Sequence, residues 1–268
     1  MMKEPYVPQM GIVYPEQPDA HMIEPVYLRD VTVDENYPFL DKSLKFKFIR
    51  FWLYIGIYTV AFFVCHMRYG IKVTGRENLR KHKKLLKNGA MTICNHVQRY
   101  DFIFTQYAVR FHRMFFPVWK EHLKGPDAGL IRHAGGIPVP EELRIIKYFN
   151  KAFDEVHEKK IWIHSYPEST RFDYFTPIRP FKKGVFTMAH RYNLPVIPIA
   201  ITYRKQHFPY LRALKEKFPL ITVNVGEPIL IDPSLDRKAA VNKLRRECHE
   251  AVVRLAGITN NPYPPESD

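Results

Sequence analysis

The chain alternates short apolar runs with longer stretches in which apolar residues recur every three or four positions. Short runs rich in branched and aromatic residues are typical of buried strands, and the longer spacing is typical of helices with one apolar face. Strands are predicted around Val73, Met91, Phe115, Ile137, Trp162, Val196 and Val223, and helices over residues 77–87, 143–157, 181–192 and 236–256. This alternation indicates an α/β fold with a mostly parallel or mixed sheet flanked by helices.

One apolar run is longer than a strand needs. Residues 51–65 contain 15 uncharged positions, and basic residues flank them on both sides, namely Lys45, Lys47, Arg50 and Arg68. As a helix this run extends roughly 23 Å, which is shorter than a hydrocarbon core of about 30 Å. We therefore expect an N-terminal membrane-associating helix over residues 44–70 that dips into one leaflet, with its basic ends at the headgroups. A buried core helix is the alternative interpretation.

The remaining organisation is simple. Residues 1–43 are polar and contain six prolines, so we expect an extended arm that drapes over the domain or is partly disordered. A single domain is predicted over residues 71–258, and prolines mark a tail at 259–268. The polar start of the chain does not resemble a secretory signal, so we expect a membrane-associated protein whose active site faces the cytoplasm.

Composition narrows the classes of partner. A length of 268 residues allows one sizeable core, and a formal net charge of +14 indicates anionic partners such as phospholipid headgroups, coenzyme A, acyl carrier protein or nucleic acid. No recognition-helix or RNP-like pattern is present, so no specific nucleic-acid binding is expected. The histidines and cysteines lack metal-ligand spacing, so no metal site is expected.

The first candidate for chemistry is a histidine and a carboxylate at the end of the strand predicted around Met91. A further helix is expected directly after this strand. His96 and Asp101 are five residues apart, which is the wrong spacing for two neighbours on one helix face, so His96 must lie outside this helix. If Asn95 caps the helix, Asp101 lies near its first turn and can fold back toward the imidazole. An imidazole held by a carboxylate can take a proton from an alcohol near neutral pH. Chance placement of one of 12 histidines is the alternative.

Polar groups follow two further predicted strands. Residues 166–171 come directly after the strand around Trp162, and Lys120 with Glu121 follows the strand around Phe115. Pro117 in the latter suggests an edge strand or a bulge. Ligands bind outside the carboxyl ends of strands in open α/β sheets, so the three clusters converge if their strands are parallel.

These segments together resemble the glycerolipid acyltransferase superfamily, whose best-known members are the 1-acylglycerol-3-phosphate acyltransferases. The resemblance runs from about Val73 to Ile229. The first family motif, Asn-His-x-x-x-x-Asp, matches residues 95–101, and a glycine-led second motif matches residues 134–139. The third, usually Phe-Pro-Glu-Gly-Thr-Arg, matches residues 166–171, and an apolar fourth motif with prolines matches 194–201.

The resemblance implies acyl transfer from a fatty acyl thioester, either acyl-CoA or acyl carrier protein, to a lysophospholipid hydroxyl, without a cofactor. His96 would act as general base and Asp101 would orient it. Backbone amides near Gly136 would stabilise the oxyanion. Arg171 and Lys120 would bind the acceptor phosphate, Thr170 would bond the phosphate or cap the next segment, and Glu168 would position a glycerol hydroxyl or Arg171. An ordinary surface ion pair is the alternative for each charged residue of this group.

Two departures from the family pattern concern the acceptor. Ser169 replaces the usual glycine of the third motif, and Pro140 or Glu141 stands where an arginine is common, with Arg144 nearest. Both changes lie where the headgroup would bind, so they affect the acceptor's identity more than the chemistry. Two other functions stay open: a non-catalytic lipid-binding or scaffold protein on the same fold, and a phospholipid transacylase that uses the same base with a different donor.

Overall fold

The computed structural model describes residues 5–22, 24, 26–110, 112–207 and 218–265. The strands are β1 (Lys72–Thr74), β2 (Met91–Cys94), β3 (Met114–Trp119), β4 (Gly136–Val139), β5 (Trp162–Ser165), β6 (Val196–Arg204) and β7 (Leu220–Val225). The α-helices are α1 (Leu44–Met67), α2 (Arg76–Lys81), α3 (Lys83–Leu86), α4 (Asp101–Val109), α5 (Ala128–Ala134), α6 (Ile146–Glu158), α7 (Lys183–Arg191) and α8 (Arg237–Ala256). Two short 3₁₀ helices cover Lys120–Leu123 and Leu143–Ile145.

All seven strands form one mixed sheet in the order β1-β7-β6-β2-β5-β3-β4. Strands β6, β2, β5, β3 and β4 run parallel, whereas β7 runs antiparallel to β6 and carries β1 parallel to itself. The predicted α/β class and each predicted strand are confirmed. The carboxyl ends of β2, β5 and β3 lie side by side, so the polar clusters that follow them meet at one edge of the sheet.

The two faces of the sheet carry separate halves of the core. Along β6, Val196 and Ala200 pack with α6, α7 and α8, whereas Ile197, Ile199 and Ile201 pack with α4 on the other face. This alternation is the period of two that a strand buried on both faces requires. The sequence did not predict α5, a seven-residue helix that leads directly into β4.

Pro117 does not make β3 an edge strand, because β3 lies between β5 and β4. The ladder between β3 and β5 ends at Phe115, and only β4 pairs with β3 at Pro117. A proline lacks the N–H that a second ladder would need, so it fits at a position paired on one side only.

Helix α1 is longer than the uncharged run that predicted it. It begins after Ser43, whose side chain accepts a hydrogen bond from the Phe46 amide, and its 24 residues extend roughly 36 Å. Only 12% of its most apolar window is buried, and Phe51, Val60 and Phe63 are among its exposed side chains. This exposure argues against the buried core helix. By length and composition α1 is able to cross a membrane.

The described part of the N-terminal arm lies against the domain. The Tyr14 hydroxyl donates to the Asp173 carbonyl over 2.8 Å, Pro18 accepts a hydrogen bond from Arg179 over 2.9 Å, and the His21 ring stacks on Trp119 with 4.4 Å between centroids. These contacts cross the same edge of the sheet as the polar clusters. Residues 1–4, 23 and 25 of the predicted arm and 266–268 of the predicted tail lie outside the described residues.

Candidate active site

The imidazole and carboxylate of the first motif are in direct contact. Nδ1 of His96 lies 2.8 Å from Oδ2 of Asp101, and the same oxygen accepts hydrogen bonds from the backbone amides of Val97 and Gln98 over 3.1 and 3.3 Å. Asp101 is the first residue of α4, and His96 precedes the helix as the spacing requires. The loop between them therefore turns back on itself around one carboxylate oxygen.

Electrostatics keep that carboxylate ionised. Burial alone would raise the pKa of Asp101, but the charge and hydrogen bond of His96 outweigh it and hold the pKa below its usual range. With Nδ1 directed at the carboxylate, Nε2 is the nitrogen left to accept a proton. His96 keeps 18% of its side chain exposed, and Nε2 makes no hydrogen bond to any described residue.

Asn95 does not cap the helix, which corrects the sequence prediction. Its side-chain oxygen accepts from the Ile201 amide over 2.8 Å, and its side-chain nitrogen donates to the Ile201 carbonyl over 3.0 Å. The residue at the N-cap position is Tyr100. Asn95 thus anchors the end of β2 to β6, a long-range role that local spacing does not reveal.

Glu168 contacts neither Arg171 nor open solvent, in contrast to the expected positioning role. It is buried and forms an ion pair with Arg179, whose Nη2 lies 2.9 Å from Oε2. Oε2 also accepts a hydrogen bond from the His96 amide over 2.9 Å, and Oε1 accepts one from the Arg179 amide over 2.9 Å. Glu168 therefore fixes the backbone of the histidine from behind.

The two residues after Glu168 also differ from the expectation. The Thr170 hydroxyl accepts from Nη1 of Arg179 over 2.8 Å, so within the described structure it serves the buried arginine and caps no helix. Ser169 is exposed and has a φ of 65°, in the left-handed region that favours glycine. This conformation explains in physical terms why a glycine is the easier residue at this turn.

Arg171 precedes Phe172, whose amide donates to the His96 carbonyl over 3.0 Å, and it already has one acidic neighbour. Its Nε is 3.0 Å from Oδ1 of Asp173, and neither of its terminal nitrogens pairs with a described residue. Burial raises the pKa of Asp173, and Arg171 acts in the opposite direction. His122 is a further neighbour: burial lowers its pKa to about 4, and the charges of His96 and Arg171 add to the effect. The site thus combines the unpaired terminal nitrogens of Arg171 with the neutral imidazole of His122.

The structure does not bring all the predicted residues together. Lys120 follows β3 at the same edge of the sheet, but its Nζ is 2.5 Å from Oε2 of Glu141. Gly136 is the first residue of β4, three strands from β2 and thus roughly 14 Å away at normal strand spacing. A Cβ at Gly136 would meet Ile131 at 2.8 Å, so packing against α5 explains this glycine.

Aromatic rings pack against the imidazole of His96. The Tyr166 ring stacks on His96 with 4.0 Å between centroids and 11° between planes, and its other side meets the edge of His164 at 4.5 Å. The phenol oxygen is buried close to Asp101 without completing a well-directed hydrogen bond. Tyr166 therefore limits the motion of the imidazole on one of its faces.

Some of these functional neighbours were missed from the sequence. Arg179 sits between prolines in a segment without periodicity, and nothing in its spacing points to Glu168. His122 directly follows Lys120 and Glu121, so that position was the only local signal for it. In the described part of the chain no three His, Cys, Asp or Glu side chains are grouped as a metal site requires.

Comparison with known proteins agrees with this arrangement. Residues 70–202 match a protein-family model described as Acyltransferase. The fold is similar to the crystal structure of the 1-acyl-sn-glycerophosphate (LPA) acyltransferase, PlsC, from Thermotoga maritima, with a TM-score of 0.54 and 20% identity over 82% of this chain and 83% of that chain. No curated protein is matched by the sequence. The matched range contains the ordered histidine, carboxylate and third-motif segments, and residues 70–202 of this chain belong to the acyltransferase family that this model describes.

Proposed function

We propose that this protein transfers a fatty acyl group from an acyl thioester to the free hydroxyl of 1-acylglycerol-3-phosphate, which gives phosphatidate. The observation that carries the proposal is the 2.8 Å contact between His96 and Asp101, with Nε2 left unpaired and the segment that carries Arg171 hydrogen-bonded to the His96 backbone through Phe172. A base that opens next to a cation suits an acceptor that has both a hydroxyl and a phosphate. The neighbour PlsC, described as an LPA acyltransferase, supports this choice of acceptor.

In the proposed reaction Nε2 of His96 takes the proton from the acceptor hydroxyl as its oxygen attacks the thioester carbonyl. Asp101 stabilises the imidazolium that forms. Collapse of the tetrahedral intermediate breaks the carbon–sulfur bond, and the imidazolium returns its proton to the leaving thiolate. No acyl-enzyme is needed, because a thiolate is a good leaving group and the site supplies the base and the alignment.

Arg171 is the proposed contact for the acceptor phosphate. Its planar guanidinium can present two N–H groups to two phosphate oxygens, and Asp173 at Nε leaves the terminal edge available. Lys120 is the weaker candidate, because Glu141 already balances its charge. Glu168 and Thr170 are assigned to holding Arg179 and the His96 backbone, and Ser169 to the turn between them.

The substrates also need access from a lipid surface. Both the lysophospholipid and the acyl chain of the donor are amphiphilic, and α1 exposes a continuous apolar surface along its length. We propose that α1 attaches the domain to the membrane and brings the site to the level at which such substrates partition. The depth to which α1 enters the bilayer is part of this proposal.

The decisive experiment is an acyl-transfer assay with detergent-purified protein and a panel of lysophospholipid acceptors. Acyl-CoA and acyl carrier protein thioesters are tested as separate donors, and a phospholipid donor tests for transacylation. We expect transfer to lysophosphatidate with at least one thioester. Transfer from the phospholipid alone would assign the chain to the transacylases, and no transfer to any acceptor would favour the lipid-binding function.

The acceptor role of Arg171 has its own test in the same assay. Replacing it by lysine keeps the charge but removes the fork, so we expect the acceptor KM to rise about tenfold while kcat changes much less. The matched control is Arg191→Lys at the end of α7, which alters an exposed ion pair with Asp154 of α6. An acceptor KM that moves equally little in both variants would contradict the phosphate contact.

A further inference from the structure

A cavity lies at the amino ends of the strands, on the opposite side of the sheet from the candidate active site. It has a volume of about 350 Å³, within the range of small-molecule sites. Its walls come from the N-terminal half of α1, the start of β3 and the segment that enters β5. Ile161 lines it, whereas Tyr166 of the active site stands at the other end of the same strand, roughly 16 Å away along an extended chain.

This cavity has a strong excess of positive charge. Its lining contains six cationic side chains and two carboxylates, Asp41 and Glu155. Glu155 already forms ion pairs with two lysines, because its Oε2 lies 2.8 Å from Nζ of Lys42 and 3.8 Å from Nζ of Lys159. Asp41 is the other carboxylate of the lining, and its charge acts on Arg132.

Three of the cationic side chains that line the cavity are arginines, namely Arg50, Arg113 and Arg132. Arg132 donates to the Phe39 carbonyl over 2.9 Å and also contacts the Pro38 carbonyl, so a backbone turn holds it in place. Arg50 packs its guanidinium on the Phe115 ring at 4.2 Å, and its Nε and Nη2 are buried without a hydrogen-bond partner among the described residues. No described carboxylate forms an ion pair with Arg50 or Arg113. Buried, unpaired guanidinium nitrogens are unfavourable unless an anion joins them.

The surroundings indicate what kind of anion fits. Phe46, Phe51 and Tyr54 line the cavity from α1, and Phe51 is also part of the exposed apolar surface of that helix. A bound molecule would therefore meet cations inside and an apolar surface at the mouth. That combination matches an amphiphile with an anionic head better than a fully soluble anion.

We propose that this cavity binds the phosphate headgroup of an anionic membrane phospholipid that is not a substrate of the reaction. The phosphate would accept hydrogen bonds from Arg50 and Arg113, and the acyl chains would follow the exposed side of α1. Because the lining joins α1 to β3 and α6, a bound lipid would fasten the membrane helix to the domain. Anionic lipid would then stabilise the folded protein in addition to attracting it to the surface.

The test measures the melting temperature of the full chain in neutral detergent micelles that contain the same mole fraction of phosphatidylglycerol or phosphatidylcholine. We expect phosphatidylglycerol to raise the melting temperature by about 5 °C relative to phosphatidylcholine. Arg50→Gln and Arg113→Gln should each lose most of this difference. The readout is the difference in melting temperature between the two lipids within each variant, so a lower starting stability does not obscure it. If Arg50→Gln does not fold, Arg113→Gln decides the test.

Two matched variants distinguish the cavity from other basic surfaces. Lys45→Gln removes an exposed charge from the same helix outside the cavity, and Arg171→Gln removes the cation of the active site. Both should keep the phosphatidylglycerol shift. An equal loss in Lys45→Gln would show general surface attraction, and a loss in Arg171→Gln but not in Arg50→Gln would place the lipid at the acceptor site; either result overturns the proposal.

The source of the phosphate is tested with free glycerol phosphate in place of the lipid. We expect it to give a much smaller shift, because it lacks the acyl chains that contact α1. An equal shift with glycerol phosphate, or no difference between the two phospholipids in the wild-type protein, would also overturn the assignment. These readouts do not depend on turnover, so they stand or fall separately from the proposed acyl transfer.

Discussion

The first and third motifs both surround His96, but they hold it in different ways. In the first, Asp101 contacts the imidazole through a loop of five residues. In the third, Glu168 contacts the histidine backbone from 72 positions away and is itself paired with Arg179. Asp101 therefore positions the imidazole of the proposed general base, whereas Glu168 positions the backbone that carries this imidazole. The two carboxylates at His96 thus differ in the part of the residue that they contact.

The largest expected effect is on turnover and comes from removing the His96 imidazole. We expect His96→Ala to lower turnover by about 10² to 10⁴-fold, the usual range for loss of a general base, while the free energy of unfolding changes little. Steady-state acyl transfer and a denaturant melt on the same preparation measure the two quantities. A variant that keeps most of its turnover would remove His96 from the chemistry and end the distinction between the two carboxylates.

For the buried pair of Glu168 and Arg179 we expect the main effect on the free energy of unfolding. Arg179→Met leaves Glu168 buried and unpaired, so we expect a loss of about 3–5 kcal/mol in the free energy of unfolding. The control is Lys81→Met, which breaks an exposed pair with Glu227 and should cost about 0–1 kcal/mol. Equal losses in the two variants would show that the buried pair is not a structural anchor.

The strand that leads into the third motif should respond to pH. Complete burial lowers the pKa of His164 to about 4, so between pH 6.5 and 4 the unfolded chain binds a proton that the folded protein does not. Stability should therefore fall as the pH falls through this window. His164→Asn should reduce the loss between pH 7 and pH 5 by on the order of 2 kcal/mol. Unfolding curves of both proteins at the two pH values give the slope, and identical slopes would contradict the assignment.

The smallest effect concerns the turn between Glu168 and Thr170. Ser169→Gly should relieve the left-handed strain at a φ of 65°, and we expect a gain of about 0.5–1 kcal/mol after the larger backbone entropy of glycine is included. Ser169→Ala keeps the Cβ and should be nearly neutral. A gain in the alanine variant equal to that in the glycine variant would mean that the hydroxyl, and not the backbone, is unfavourable here.

The sequence was sufficient for the architecture because strands buried on both faces are continuous apolar runs. All seven predicted strands are present, and the three polar clusters follow neighbouring parallel strands. The contact between His96 and Asp101 was also predictable, since a short loop determines it. Helix α1 was predicted over residues 44–70 and occupies Leu44–Met67, and it is longer than the uncharged run of residues 51–65 because charged residues at its start continue the helix.

The sequence was not sufficient where a partner lies far away in the chain. Asn95 bonds to Ile201 on β6, Glu168 pairs with Arg179, and Gly136 is explained by packing against Ile131. Local spacing suggested a helix cap for Asn95, and the family resemblance suggested a positioning role for Glu168 and an oxyanion donor near Gly136. The tertiary contact that satisfies the residue appears only when the strands and helices are assembled.

The path of the N-terminal arm has a practical consequence for anyone who shortens this chain. Pro18 supplies a carbonyl to Arg179, and Tyr14 donates to the backbone at Asp173, the acidic neighbour of Arg171. A truncation that starts the protein at α1 would therefore remove hydrogen-bond partners from Asp173 and from Arg179, which pairs with Glu168 behind His96. The segment from Tyr14 to His21 thus forms part of the wall of the candidate active site.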